Sequence, residues 1–474
     1  MTEGQKESAK GMDVMPCFKT MGENQILDLT RMAIHILLEF FTSIFSCMFL
    51  LLALVFVACM IQTPKPVYLV DFSCYKPADS LRVTCANFVE HMEFCGQFSK
   101  LCVDFQKRLL EKSGIGDEAC MPIGMHEIPA NVSLEATQNE VEEVMFNTIN
   151  DLLTKNNTNP QAIDIIISNC SMHAPTPSIT SMIINKFGFR SNVKSFNLSG
   201  MGCSAGLLSI SLAKELLKVH ENSLVLIFSM EAVTPNGYRG ESKSMLLANT
   251  IFRMGGAAIL LSNKKQDKHT SNFKLKHLVR THMGYDDESY RSVYQMADKD
   301  GFQGVSISKS LVKVASKALR MHISKLGPIT LPYSQQLLYI WYALCKSYKG
   351  GHERYVPNFK KAFNHICIHA GGRAIIDALG NHFKLTKEDV EASRMTLYRF
   401  GNTSSSSIWY ELLYLVSKGK VKKGEKVWQL AFGSGFKCNS AVWEAIRDVK
   451  FGENNAWSDR IHAYPVEIPA YNPL

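Results

Sequence analysis

The chain opens polar, turns strongly apolar, then settles into short apolar runs separated by polar, helix-like stretches. Phe40–Ile61 (FFTSIFSCMFLLLALVFVACMI) contains no charged residue. As a helix rising about 1.5 Å per residue it would measure roughly 33 Å, enough to cross the hydrocarbon core of a bilayer. Apolar character reaches back to Met32, interrupted by His35 and Glu39. A cleaved signal sequence would be shorter and nearer the N-terminus, and a core helix rarely needs so long an uncharged run. Residues 32–62 are therefore expected to span a membrane behind a polar tail, residues 1–31. Arg31 precedes the run and Lys65, Lys76 and Arg82 follow it, a bias that places the C-terminal portion in the cytosol. Sequons beginning at Asn131, Asn169, Asn197 and Asn402 agree, since a lumenal domain would offer several of them for glycosylation. The Pro-punctuated TPKPVYLVDF (63–72) reads as a stiff exit into a membrane-proximal region, residues 63–130.

Beyond that region helical and strand patterns alternate. A helix over Val141–Leu153 precedes an apolar strand at Ile163–Ile167, and further strands are predicted at Leu224–Phe228 and Gly255–Leu261. Runs this apolar suit strands buried between helix layers, hence an α/β layered fold. The later chain repeats the order. Ile366–Ile368 is a short buried strand, and Met395–Gly435 reads as strand, small-residue turn, helix and strand. VKSFNLSGMGCSAGLLSISLAKELLKVHENSLVLIFS has the same grammar with little identity, so the repeat is one of pattern. The expected halves are residues 131–268 and 269–474, with Lys264–Asn272 as connector. In this overlay Asn402 takes the place of Cys203, each just before a helix. Packing of the halves about a pseudo-twofold axis would bring both helix starts and the loop at His369 to one site.

Chemistry concentrates at Lys194–Val219, where a short extended run ends in small residues, a cysteine and an apolar helix. Unpaired N–H groups and the dipole at a helix N-terminus favour a thiolate, so Cys203 is expected to have a lowered pKa. Gly200, Gly202 and Gly206 allow a tight turn and close approach of a substrate. A thioester-forming nucleophile fits this setting, and a buried structural cysteine is the alternative. Composition is that of a folded protein, with 46% hydrophobic and 20% charged residues. The net charge of +9 suits an anionic substrate or membrane face. Nucleic acid is excluded as a partner, because no basic stripe interleaves with aromatics. Thirteen scattered cysteines without paired spacing argue against a disulfide framework and a zinc site, and for reduced thiols.

GMGCSAG (Gly200–Gly206), HAGGRAIID (His369–Asp377), RFGNTSSSSIWYEL (Arg399–Leu412) and AFGSGFKCNSAVW (Ala431–Trp443) closely resemble motifs of plant 3-ketoacyl-CoA synthases. VYLVDFSCYKP (Val67–Pro77), NCSMHAPTPS (Asn169–Ser178) and LVRTHMGYDDESYRSVYQ (Leu278–Gln295) extend the resemblance, which covers Pro64 to Val466. It implies a duplicated thiolase-like α/β/α/β/α fold behind an N-terminal transmembrane segment. The implied activity is decarboxylative condensation of a long or very-long-chain acyl-CoA with malonyl-CoA in fatty acid elongation. It further implies a Cys–His–Asn site carried by Cys203, His369 and Asn402, with no cofactor and no metal. Residence in the endoplasmic reticulum membrane with the catalytic region facing the cytosol, a homodimer, and elongase reductases and a dehydratase as partners are also implied. The comparison makes His282 and His365 supporting candidates. Gly371, Gly433 and Gly435 lie in small-residue segments that would let backbone approach substrate or oxyanion, with a plain tight turn as the alternative.

The sequence departs from the family at two points: one long hydrophobic segment where members usually show two, and Tyr398 where many have His. The implied division of labour gives Cys203 the acyl group, while neutral His369 and Asn402 donate to the malonyl enolate oxygen without quenching it. A chalcone-synthase-type polyketide synthase and a non-catalytic scaffold of an elongase complex are the alternative readings. The first is usually soluble, and the second would not need all three site residues. A thiolase would carry a second cysteine where Asn402 stands.

Overall fold

One uninterrupted helix, α1 (Glu23–Ile61), carries the long apolar run. The computed structural model describes residues 23–61, 65–349, 355–449, 452 and 454–468, and separates into the units Met1–Pro64 and Lys65–Leu474. Within α1, Leu27–Val55 has a mean hydropathy of 2.2 and none of that stretch is buried. By length and composition it suffices for one membrane crossing. No break divides it into two spans.

The second unit enters its sheet at once as β1 (Tyr68–Cys74), leaves for α2 (Cys85–Phe94) and α3 (Lys100–Ser113), and returns through α4 (Leu134–Lys155). The Ser133 side chain caps α4 by accepting the Ala136 N–H, so the helix begins upstream of the expected Val141. β2 (Ile165–Asn169), α5 (Ile179–Phe187), β3 (Lys194–Leu198), α6 (Ala205–Val219), β4 (Leu224–Met230), α7 (Lys243–Ile251) and β5 (Gly256–Ser262) complete the first half. The second begins with β6 (Phe273–His282), the short α8 (Asp287–Tyr290), the hairpin β7 (Val293–Ala297) and β8 (Gln303–Ile307), and the helices α9 (Leu311–Thr330) and α10 (Tyr333–Lys349). It closes with β9 (His365–Ile368), α11 (Arg373–Phe383), α12 (Glu391–Phe400), α13 (Ser407–Ser417), β10 (Lys426–Gly433) and β11 (Lys437–Ala445).

Nine strands form one mixed sheet in the order β3-β2-β4-β5-β1-β6-β11-β10-β9. β2 runs parallel to β3 and β4, while β4–β5 and β5–β1 are antiparallel. On the far side of the β1–β6 junction the same relations recur, with β6–β11 and β11–β10 antiparallel and β10–β9 parallel. Reading outward from the junction, β6, β11, β10 and β9 repeat β1, β5, β4 and β2, and the connector runs between β5 and β6. The repeat is incomplete in one respect. Met395–Phe400, expected as a strand equivalent to β3, lies in helix α12. Ala392, Met395, Thr396 and Arg399 fall on one helical face and are buried, so the period over the whole segment is helical. Ser393 of α12 accepts the Ile368 N–H at 2.9 Å, so α12 packs at the end of β9 where the first half has a strand.

Side chains alternate across each strand and sort the core into layers. Ile165, Ile167, Val225, Ile227 and Ile259 pack inward with Leu207 and Ile210 of α6 and Ile408–Val416 of α13. Val427, Ala431, Ala441 and Trp443 from the second half join the same cluster. The opposite faces pack outward: Ile166, Leu226, Phe228 and Leu260 against α4 and α5, and Trp428, Leu430 and Val442 against α9 and α11. The result is the α/β/α/β/α order, with the paired helices α6 and α13 at its centre.

Candidate active site

The two central helices start beside each other, and both starts are built from small residues because backbone must meet backbone there. Cys203 lies in a single tight turn, Gly202–Ser204, that leads into α6. A Cβ on Gly206 would stand 2.5 Å from the Ser405 carbonyl oxygen, and one on Gly202 would stand 2.5 Å from the Ser434 nitrogen. At Gly433 it would lie 2.4 Å from Ser204 Oγ and 2.9 Å from Ser204 N. Gly433 thus presses the β10 backbone onto the cysteine turn. The equivalent turn of the second half, Ser404–Ser406, leads into α13 and is separated from Asn402 by Thr403 alone.

Cys203, His369 and Asn402 line one cavity of about 490 Å³, together with Gly371, Gly433 and Gly435. His369 sits at the end of β9, where its N–H reaches the Leu430 carbonyl at 2.9 Å. Its Nδ1 is 2.5 Å from Ser407 Oγ, and a Cβ on Gly371 would stand 3.0 Å from its Nε2. Behind this loop, buried Glu411 accepts from Ser393 Oγ at 2.6 Å, the same hydroxyl that receives the Ile368 N–H. The Asn402 side chain is fixed at both ends: Nδ2 donates to Gly371 O at 3.3 Å and Oδ1 accepts the Ser404 N–H at 2.8 Å. The candidates therefore interlock through Gly371.

Burial dominates the electrostatics. It pushes the Cys203 thiol up to about 12, with Glu231 adding to the rise and a Ser404 hydrogen bond opposing it. The expected lowering by the helix terminus is overturned, because a thiolate in this apolar pocket loses more hydration than the N-terminal N–H groups return. Burial also holds His369 down at about 4, so its imidazole is neutral at physiological pH.

Two residues that sequence reasoning missed stand behind the thiol. Glu231 follows the wholly buried strand β4; its Oε1 accepts the Ser171 and Met172 N–H groups at 2.9 and 2.8 Å, and its Oε2 accepts from Ser404 Oγ at 3.2 Å. Desolvation raises its pKa. Ser404 holds a left-handed backbone, φ +55°, although it is not glycine. Its hydroxyl links Glu231 to the site, a task glycine could not perform. An acid immediately after a buried strand was the available signal.

The remaining candidates lie elsewhere. His365 opens β9 and pairs with Glu425 at 2.9 Å, away from the cavity. His282 ends β6 and accepts the Gly284 N–H at 3.0 Å, beside Gly435 yet not among the cavity-lining residues. Tyr398 covers Gly116, outside the cavity. No cluster of three or more His, Cys, Asp or Glu with metal-holding geometry occurs among the described residues. The rest of the cavity wall is largely apolar and comes from α3, α7, α9 and the β7–β8 hairpin, including Leu109, Leu247, Val293, Val305, Ile307 and Leu311.

This architecture is shared with condensing enzymes of known structure. The type III polyketide synthase domain of Steely1 from Dictyostelium superposes with a TM-score of 0.63 at 16% identity, covering 80% of this chain and 99% of that one. The 1,3,6,8-tetrahydroxynaphthalene synthase of Streptomyces coelicolor gives 0.61 at 18% identity, covering 81% of this chain and 100% of that one. Residues 59–348 match the family model described as FAE1/Type III polyketide synthase-like protein. Residues 360–445 match the C-terminal model of 3-oxoacyl-[acyl-carrier-protein] synthase III. From Arabidopsis thaliana, 3-ketoacyl-CoA synthase 7 is 60% identical over 84% of this chain and 87% of its own length. 3-Ketoacyl-CoA synthase 6 from the same plant is 51% identical over 86% and 82%. The chain belongs to the 3-ketoacyl-CoA synthase family, acyltransferases that act as condensing enzymes of fatty acid elongation.

Proposed function

We propose that this protein is a membrane-bound 3-ketoacyl-CoA synthase that joins a long or very-long-chain acyl-CoA to malonyl-CoA through an acyl-enzyme on Cys203. The observation that carries the reading is the convergence of a thiol, a neutral imidazole and a primary amide on one cavity with a largely apolar wall.

Because the resting thiol is neutral, attack on the acyl-CoA carbonyl is coupled to loss of its proton. His369 Nε2 accepts that proton, and the Cys203 N–H at the α6 start supports the tetrahedral oxyanion. CoA leaves as a thiol, carrying the proton, and the neutral imidazole then exchanges its remaining Nδ1 proton for one at Nε2 through solvent before malonyl-CoA reacts. In the second half-reaction malonyl-CoA loses CO₂, and charge develops on its thioester oxygen. His369 Nε2–H and Asn402 Nδ2–H donate to that oxygen. The enolate carbon attacks the acyl carbonyl, expels Cys203 as thiolate, and a solvent proton restores the thiol. The sum is acyl-CoA, malonyl-CoA and a proton going to 3-ketoacyl-CoA, CoA and CO₂. Ser407 fits both halves. A hydroxyl can accept from Nδ1–H while Nε2 acts as base, or donate to Nδ1 while Nε2–H is the donor. No cofactor is required, since both thioesters carry their own activation.

The span of α1 anchors the enzyme, in our reading in the endoplasmic reticulum with the catalytic unit cytosolic, as a homodimer working with the elongase reductases and dehydratase. In microsomes from a host lacking such synthases, labelled malonyl-CoA and long acyl-CoAs yield condensation product that vanishes in Cys203→Ala. Asn402→Asp lowers malonyl-CoA decarboxylation by about 10²–10³-fold while sparing acyl transfer to Cys203, because a carboxylate repels the enolate. Equal loss of both half-reactions would refute this assignment. Wild-type inactivity, with elongation altered only beside a co-expressed synthase, would support a scaffold.

A further inference from the structure

We infer that α10 lies in the headgroup–acyl boundary of a bilayer, a lipid contact additional to α1. The helix leaves the catalytic unit at Leu331–Pro332 and reads YSQQLLYIWYALCKSYK. From Leu337 to Tyr342 every side chain is exposed, from 42% at Leu338 to 66% at Leu337, and Leu344 follows. Successive residues on a helix turn by about 100°, so six in a row wrap its whole circumference with apolar surface. A helix-binding protein groove reads one stripe at i, i+3, i+4 and i+7 and leaves a polar back. This segment has no such back. A second copy of the chain would cover one stripe and leave other Leu, Ile and Trp side chains in water, whereas a bilayer boundary takes every face that Gln335 and Tyr342 do not turn to the catalytic unit.

The helix is held, not merely unpacked. Gln335 is buried, and its Oε1 accepts from Tyr355 Oη and from the Asn358 N–H, each at 2.9 Å. Gln336 Nε2 donates to Leu331 O at 2.8 Å, and Tyr342 stacks on Tyr355 with ring centroids 4.8 Å apart. The described α10 does not supply the about 20 predominantly apolar residues of a span, because Ser334, Gln335 and Gln336 occupy its first turn and Lys346 breaks the apolar run. Tyr333, Tyr339, Trp341 and Tyr342 are rings with a polar handle, the type that settles at headgroup level. The sequence of the helix contains no acidic residue, which suits an anionic headgroup layer. The inference rests on the membrane location proposed above.

Trp341 makes it testable in the full chain. The other four of the five tryptophans, Trp409, Trp428, Trp443 and Trp457, are fully buried, while Trp341 is 65% exposed. In vesicles of phosphatidylcholine and phosphatidylserine, replacing the phosphatidylcholine by a form brominated high on its acyl chains quenches most of the Trp341 emission. Trp341→Phe removes that quenched component and keeps the rest. Emission indifferent to bromine yet open to acrylamide would place α10 in water and overturn the inference. Emission indifferent to bromine and shielded from acrylamide only at high protein density would overturn it in favour of a second copy. α1 contains no tryptophan, so alkaline extraction of the same vesicles reports the span independently. A retained chain with unquenched Trp341 fails this inference alone, and a released chain that was quenched at neutral pH fails the span alone.

Discussion

Cys203 is pulled two ways, and magnitude decides between them. A helix N-terminus contributes about 0.3–1 kcal/mol towards an anion, and up to about 2 in favourable geometry. Burial of a titratable group shifts its pKa by as much as roughly 3–5 units, several kcal/mol. Burial wins, so the Cys203 thiol is protonated at neutral pH. Alkylation by iodoacetamide reads this directly, since the thiolate is the reactive form. Labelling of Cys203 in ligand-free enzyme is slow at neutral pH and keeps rising with pH beyond the range of an ordinary thiol, towards about 12. Glu231→Gln removes a neighbouring negative charge and moves that profile to lower pH; an unmoved profile would show that Glu231 does not act on the thiol. Cys203, His369 and Asn402 were legible because small-residue turns bracket them in sequence. Glu231 and Ser404 were not, since their relation to the thiol arises when β4 and the α13 start meet across the two halves.

Among the elements, strands such as Leu224–Phe228 and Gly255–Leu261 announced themselves, because burial on both faces leaves no room for polar residues. α12 did not. Read from Met395, MTLYRF looks like a strand; read from Glu391, the helical period is complete, and the cut concealed it. The β7–β8 hairpin and α10 escaped notice because their roles lie in what they cover. Two predictions follow from how elements meet. Gly433→Ala forces β10 away from the cysteine turn, at a cost of about 1–3 kcal/mol, which thermal unfolding records as a lower Tm alongside impaired acyl transfer to Cys203. On the hairpin, Val305 and Ile307 of β8 oppose Gln295 and Val293 of β7 and all four line the cavity. Val305→Phe fills that space and shifts the product profile, measured by mass spectrometry, to shorter chains with short-chain turnover retained. An unchanged profile would place the acyl chain elsewhere.

At the scale of the whole unit Lys65–Leu474, its two halves differ at their outer strands. Ser393 of α12 accepts one N–H at the end of β9, and β3 has no strand on its outer side among the described residues. An uncovered strand is a template for pairing. Two copies joined edge to edge through β3 about a twofold axis consume the free edge of each, and nothing is left to recruit a third. Ser195→Pro removes an N–H from the outer side of that strand, since the Lys194 N–H and the Leu198 carbonyl are the groups turned towards the β2 side, and sedimentation in detergent is expected to show dimer for the wild type and monomer for the variant. Dimer in both would locate the contact elsewhere. A sheet with a further strand in place of α12 would offer a second such edge, from which copies could add without limit. On the proposed twofold contact, the helix that spoils the symmetry of the repeat would hold assembly at two.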